Sequence, residues 1–183
     1  MGNRTIRTFS RFIQQFTPDV RLIIALIALV CALYLALMLS WWGLLFLPVS
    51  MWLSWDALRH GSVWPAFDAF KSHRLDEMGA MLLATRWPSL LERQSLAYYN
   101  WLKGVVDISA GRLAAAKVHL LAAASGPIRT ENDRSLIHCL LAELAIQQGE
   151  AAVASEHLRH ASALSSQQSI RQMVARLQAR LDG

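Results

Sequence analysis

Residues 22–55 read LIIALIALVCALYLALMLSWWGLLFLPVSMWLSW and contain no Asp, Glu, Lys, Arg or His. An uncharged run of this length is too long and too apolar for the core of a small soluble domain. Residues 20–38 alone would form a helix of about 28 Å, which matches a hydrocarbon core of roughly 30 Å. The run therefore predicts that the chain is anchored in a lipid bilayer.

The second half of the run is a weaker candidate for a membrane crossing. Residues 44–58 would give a helix of only about 22 Å, and Pro48 lies near its middle. The intervening Ser-Trp-Trp-Gly of residues 40–43 is typical of a turn at headgroup level, since Gly tolerates positive φ and Trp favours the interface. We predict a two-helix transmembrane hairpin over residues 18–59. A single crossing and a re-entrant second segment are the alternatives.

Positive charge flanks both ends of the run. Residues 1–21 carry four Arg and one Asp, and Arg59, Lys71 and Arg74 follow the run, whereas the turn between its halves carries no charge. Basic flanks favour the cytoplasmic side of a membrane. We therefore expect a bacterial-type inner membrane protein whose two hairpin ends and soluble domain face the cytoplasm.

Residues 1–17 have a pattern of their own. Ile6, Phe9, Ile13 and Phe16 fall at helical spacing, and Arg residues lie between them. A basic amphipathic helix of this kind binds in the plane of an anionic membrane surface. We predict such a juxtamembrane segment here, with a frayed tail as the alternative.

The chain beyond residue 60 is predicted to be all-helical. No alternating strand pattern is present, and Ala, Leu, Gln and Glu dominate. Of the net charge of +5, little belongs to this part, because residues 56–183 carry 14 basic and 12 acidic side chains. Binding to a phosphate backbone needs a denser basic surface, so we expect no nucleic-acid partner.

The sequence offers no recognisable catalytic centre. A glycine-rich phosphate loop, a nucleophile elbow and a Cys-x-x-Cys pair are all missing from it. His157 and His160 stand at i, i+3 and could begin a metal site, but no nearby Cys or acidic pair completes it, and His157 repeats His119 as an ordinary helix position. We therefore predict no enzyme, no cofactor, no metal and no small-molecule substrate.

A shift of 38 residues superimposes the sequence on itself. The matches are Leu102 with Leu140, Ile108 with Ile146, Gly111 with Gly149, Ala114 with Ala152, Ala116 with Ala154, His119 with His157, Leu120 with Leu158 and Ala123 with Ala161. A weaker upstream copy aligns Arg74 and Leu75 with Arg112 and Leu113. Because one helix pair cannot bury its own apolar face, this predicts three stacked pairs over residues 62–164.

The repeat resembles that of the tetratricopeptide repeat family. The resemblance is carried by Gly104, Gly111, Leu113, Ala116, Leu120, Ala123 and Pro127, and by Ala142, Gly149, Ala154, Leu158 and Ala161. It implies a short α-solenoid of about three helix pairs, which a capping helix over residues 165–183 would close. The sequence departs from the family in its longer period, in Lys103 where Leu is expected, and in Leu120 and Leu158 where aromatics are usual.

The resemblance also implies where a protein partner would bind. In this family the first helix of each pair lines the binding face, which would place there Tyr98, Trp101, Val105, Ile108, Ser109, Leu136, Cys139, Glu143, Ile146 and Gln147. Tyr98 and Trp101 are candidate anchors, since aromatics carry much of the energy in such grooves, and burial in the core is the alternative. Arg129 and Arg134 belong to a charged loop that is either a solvated turn or a docking point.

Together these patterns predict a non-enzymatic scaffold. It would recruit or stabilise protein partners of an inner-membrane complex, such as an envelope biogenesis or polysaccharide secretion assembly, with the bilayer as its second partner. The alternatives are an accessory or regulatory subunit of a membrane enzyme complex and a periplasm-facing repeat protein of envelope assembly.

Overall fold

The computed structural model describes residues 59–165 and 167–182, together with residues 20, 23, 24, 26, 27, 29, 30, 34, 48, 51, 52 and 55. Over residues 59–182 the described chain forms α1 (Val63–Lys71), α2 (Leu75–Leu83), a 3-10 helix (Pro88–Leu90), α3 (Arg93–Ser109), α4 (Leu113–Ala124), α5 (Glu131–Gln147), α6 (Ala151–Leu164) and α7 (Gln168–Asp182). This part of the chain contains no strand. The predicted all-α class is therefore confirmed for the described residues.

The predicted surface helix of residues 1–17 lies outside the described residues, and so does most of the predicted hairpin of residues 18–59. Within the part of the chain that the structure describes, no helix has both the length and the apolar character needed to cross a membrane. Ile23, Leu26 and Val30 are described, and all three are exposed apolar side chains.

The same turn joins the two helices of each pair. Its central residue has a left-handed backbone, with φ of 58° at His73, 72° at Gly111 and 74° at Gly149. The backbone N–H of the next residue donates a hydrogen bond to the carbonyl oxygen five residues earlier. The N···O distances are 2.9 Å for Arg74 to Ala69, 2.8 Å for Arg112 to Asp107 and 2.9 Å for Glu150 to Ala145. This is the Schellman ending of an α-helix. The three turns are spaced by the 38 residues found in the sequence, so the pairs are α1/α2, α3/α4 and α5/α6.

The chain forms two compact units, residues 1–95 and residues 96–183. In the first unit α1 packs on α2 and buries mainly apolar side chains, namely Val63, Ala66, Ala69, Met78 and Leu82. The first unit also contains the segment from residue 84 to residue 92, whose Glu92 N–H bonds the Arg59 carbonyl at 2.9 Å. This hydrogen bond joins the segment just before α1 to the segment just before α3.

The second unit contains the two stronger copies of the repeat. Its repeated small and Leu positions are the most deeply buried, because Ala116, Leu120 and Ala123 and their counterparts Ala154, Leu158 and Ala161 are at most 1% exposed. At Gly104 a Cβ atom would stand 2.7 Å from Leu120 Cγ. Glycine therefore lets α3 and α4 approach more closely than a larger residue would allow.

α7 closes the second unit. Ile170, Val174 and Leu177 lie on one face of this helix and join a buried cluster with Cys139, Ala142, Leu158 and Ala161. The opposite face is polar and exposed, including Arg171, Arg176 and Arg180. An amphipathic final helix covers the apolar surface that a last repeat would otherwise expose to water.

Candidate functional site

The two aromatic residues predicted as anchors lie in the core of the second unit. Tyr98 and Trp101 are each 1% exposed, and their ring centroids are 5.8 Å apart. The Tyr98 hydroxyl donates to Asp133 Oδ2 at 2.6 Å and accepts the Arg129 N–H at 3.3 Å. Burial, followed by the hydrogen bond to Asp133, raises the pKa of Tyr98. Tyr98 therefore joins α3 to the start of α5 and to the segment before it, and both side chains have the buried position that the sequence left open.

The other residues predicted for the binding face differ in accessibility. Ser109, Arg129 and Gln147 are exposed, whereas Val105, Ile108, Arg134, Leu136, Glu143 and Ile146 are partly buried. Cys139 is 1% exposed, and burial raises the pKa of its thiol to about 11. Glu143 pairs with Arg180 of α7 at 3.4 Å. Among the residues predicted to bind a partner, Gln147 is thus exposed, whereas Val105, Ile108 and Glu143 are accessible only in part.

A second accessible surface lies on α4, outside the residues predicted to bind a partner. Ala114, Val118, Leu121 and Ala122 recur at helical spacing and are all exposed, with Val118 at 66% and Leu121 at 45%. We call these four residues the α4 stripe. An α-helix that is apolar all round is usually buried, and an exposed apolar patch commonly marks an interaction site. The signal in the sequence was the absence of charge from every position of α4 except Lys117 and His119.

The first unit also exposes apolar side chains. Leu83, Trp87 and Leu90, which follow one another around the end of α2 and the 3-10 helix, are 80%, 52% and 54% exposed. The Arg86 guanidinium lies 5.7 Å from the centre of the Trp87 ring. Trp beside Arg is typical of segments at the headgroup level of a bilayer.

A buried carboxylate organises the second helix pair. Asp107, 2% exposed, accepts hydrogen bonds from Arg112 Nε at 2.9 Å and Arg112 Nη2 at 2.6 Å, and its other oxygen lies 2.7 Å from His119 Nδ1. Burial favours a raised pKa for Asp107, but the hydrogen bonds from Arg112 and His119 outweigh it, and its pKa is lowered. The carboxylate therefore ties the end of α3 to the middle of α4.

Three histidines meet on the third helix pair. His138 of α5 has its Nδ1 atom 3.3 Å from Nδ1 of His157 on α6. Its ring also stacks on His160, with centroids 5.2 Å apart and an interplanar angle of 25°. His160 Nε2 is in turn 3.2 Å from Glu156 Oε1. We call His138, His157 and His160 the histidine cluster.

His138 and His157, whose Nδ1 atoms are in contact, are both neutral at pH 7. Burial, together with the nearby His157, His160 and Arg134, lowers the pKa of His138 to about 4. Burial and His160 also lower the pKa of His157. Neutral imidazole exposes one lone pair per ring. The contact between the two Nδ1 atoms is a hydrogen bond when one ring carries its hydrogen on Nδ1 and the other carries it on Nε2.

Part of this cluster is visible in the sequence. The i, i+3 spacing of His157 and His160 was visible, but His138 lies 19 residues earlier, and nothing local indicated that it would meet them. Among the residues that the structure describes, no group of three or more His, Cys, Asp or Glu side chains is arranged to hold a metal ion. No protein-family model, curated protein or solved structure matches this chain.

Proposed function

We propose that this chain is a membrane-anchored scaffold, in which a transmembrane hairpin at residues 18–59 carries tetratricopeptide-like helical repeats. The observation that carries the proposal is the turn repeated at residues 73, 111 and 149, because helix pairs in tandem present extended faces for binding other proteins. The uncharged run of residues 22–55 supports the anchor. Residues 1–17 and the exposed Trp87 would add contacts with the lipid headgroups.

The partners we propose are proteins of a complex in a bacterial inner membrane, on its cytoplasmic side. Two surfaces support this. The α4 stripe is apolar and exposed, which suits an apolar partner face, whereas Val105, Ile108, Glu143 and Gln147 combine apolar and polar contacts in the way that interface rims do. Membrane anchoring strengthens such contacts by raising the effective concentration of a partner in the same membrane.

The anchor and its orientation are tested by cysteine labelling in intact cells. The native Cys139 is buried, so a Cys31→Ser background with Ser109→Cys gives one exposed thiol in the second unit. We expect a membrane-impermeant maleimide to label this thiol only after the cells are permeabilised. Labelling from outside would favour the periplasm-facing alternative. Release of the unlabelled chain by alkaline carbonate would contradict the anchor itself.

The partner surface is tested by site-specific photo-crosslinking in the native membrane. A photoreactive residue at Val118 should capture one discrete partner, and Leu121→Asp should abolish that product because it places a charge inside the apolar contact. A photoreactive residue at position 147, in place of Gln147, tests the surface formed by Val105, Ile108, Glu143 and Gln147. The matched control is the exposed Arg171 on α7. Equal capture at all three positions, or none at any, would contradict the proposal.

A further inference from the structure

The strongest unexplained feature of the molecule is the contact between two neutral histidines on different helices. His138 and His157 stand 19 residues apart in the sequence, and their Nδ1 atoms approach to 3.3 Å. Both side chains are partly exposed, so ions from solution can reach them. Neutral imidazole is a common ligand of zinc, nickel and copper ions.

The separation of the two nitrogen atoms fits a shared metal ion. A zinc ion bonds imidazole nitrogen at about 2.0–2.1 Å, and at a tetrahedral angle two such nitrogens stand about 3.3–3.4 Å apart. The observed 3.3 Å already equals this span. The two nitrogen atoms already stand at the separation that a shared ion needs, and a hydrogen on either Nδ1 atom would have to leave it.

We propose that the Nδ1 atoms of His138 and His157 bind one divalent transition-metal ion of the zinc, nickel or copper type, which then bridges α5 and α6. On binding, the ring that carries its proton on Nδ1 changes tautomer and holds that proton on Nε2. Both rings stay neutral in this step, and each contributes one lone pair to the ion. Two protein ligands leave further coordination positions open to water.

Two cationic side chains lie near the histidines, and the ion pair of one of them limits its repulsion of a bound cation. Lys117 and Arg134 act on the histidines from α4 and α5, but Lys117 is paired with Glu150 at 2.6 Å. On α6, Glu156 accepts from Arg159 and from His160, each at 3.2 Å. The stacked ring of His160 is a wall of the site rather than a third ligand. This agrees with the lack of a complete three-ligand group among the described residues.

The experiment uses the full chain in detergent micelles, purified without a polyhistidine tag. Calorimetric titrations with Zn²⁺, Ni²⁺ and Cu²⁺ salts should each show saturable binding of one metal ion per chain. His138→Gln and His157→Gln should each weaken binding by about tenfold or more, since loss even of a group behind a ligand costs 10–100-fold. His73→Asn is the control, because it removes an exposed histidine far along the sequence and Asn tolerates positive φ.

A spectroscopic measurement on the unaltered chain keeps the proposal falsifiable if a variant fails to fold. With one equivalent of Cu²⁺, electron paramagnetic resonance should show hyperfine coupling to two imidazole nitrogens. Nickel or zinc should also raise the melting temperature of the wild type and not of His157→Gln, because the ion binds the folded state. Absence of saturable binding, a spectrum without two nitrogens, or wild-type affinity in either His138→Gln or His157→Gln would overturn the proposal.

Discussion

His119 and His157 occupy the same position in two copies of the repeat, yet their surroundings differ completely. Both lie on the second helix of a pair, eight residues after a left-handed glycine. His119 is paired with the buried carboxylate of Asp107 at 2.7 Å. His157 meets another neutral imidazole, that of His138.

The difference comes from the opposing helix. Where α3 has Asp107, α5 has Ala145, and where α5 has His138, α3 has Asn100. These two differences give His119 a carboxylate partner and His157 an imidazole partner. The comparison teaches that the repeated Gly, Ala and Leu positions specify the scaffold, while unrepeated polar positions give each pair its own chemistry.

The largest effect should come from the positions that both copies share. Leu120→Ala and Leu158→Ala should each lower the free energy of unfolding by about 2–5 kcal/mol, because each leaves a cavity between packed helices. Chemical denaturation of the full chain in detergent measures both. Leu121→Ala, at a side chain 45% exposed, is the control and should change stability by less than about 0.5 kcal/mol. A much smaller loss of unfolding free energy for one of these two variants would show that the two copies are not equivalent in packing.

The Asp107 network should come next in size. Asp107→Asn should cost about 1–3 kcal/mol, since it weakens the hydrogen bonds that satisfy Arg112 and His119. The melting temperature of Asp107→Asn is compared with that of Asp68→Asn, because the Asp68 carboxylate is 72% exposed. The comparison separates the loss of buried hydrogen bonds from simple loss of charge. Equal melting temperatures for the two variants would mean that the buried carboxylate contributes little.

The same residue predicts the pH dependence of stability. The pKa of Asp107 is below its ordinary value of 3.8, so between these two values the unfolded state binds more protons than the folded state. The stabilisation is complete above pH 3.8 and is lost as the pH falls through the folded-state pKa. Melting temperatures from pH 7 to pH 2 should therefore fall more steeply for the wild type than for Asp107→Asn. Parallel curves would contradict this assignment.

Substitutions in the turns should change stability by less, and in opposite directions at His73 and Gly111. His73 holds a left-handed backbone that costs a non-glycine residue roughly 1–2 kcal/mol, so His73→Gly should stabilise the chain and Gly111→Ala should destabilise it by a similar amount. A Cβ at Gly111 would meet no atom within 4 Å, so only the backbone is tested. Gly79→Ala, inside α2, is the control and should raise stability through helix propensity. Calorimetric melting temperatures that move in the same direction for His73→Gly and Gly111→Ala would refute the equivalence of the turns.

The smallest effect should be that of the ion pair between the second and third pairs. Lys117 Nζ lies 2.6 Å from Glu150 Oε2, with both side chains partly exposed. A double-mutant cycle with Lys117→Met and Glu150→Gln should give a coupling energy no greater than about 1 kcal/mol, because exposed pairs are solvated and screened. The coupling should also shrink in high salt. A larger, salt-independent value would indicate that this junction is better shielded from water than its exposure shows.

Much of the architecture could be predicted because its signals are local. Helical class follows from composition and from apolar spacing, and the turns at Gly111 and Gly149 follow from the only residue that adopts a left-handed backbone without strain. The turn at residue 73 was not predicted, because histidine stands there in place of glycine. The self-match of 38 residues was therefore weakest in the first pair.

The candidate sites depend on neighbours that are distant in sequence. Tyr98 and Trp101 have the residue types of binding anchors, and their burial was decided by the elements packed around α3. The α4 stripe is exposed for the complementary reason, since its apolar residues face away from the helices that bury Ala116 and Leu120. Periodicity shows that a helix has an apolar face but not which of several apolar faces is covered.

The sequence by itself determined the apolar run, the helical class, the three helix pairs and the closing amphipathic helix, because each depends on residues adjacent along one helix or turn. Only the tertiary structure decided that His138 meets His157, that Asp107 holds His119, and that the two aromatics of α3 are covered. Those contacts depend on the axial offset between packed helices, which side-chain interdigitation sets and which no local pattern records.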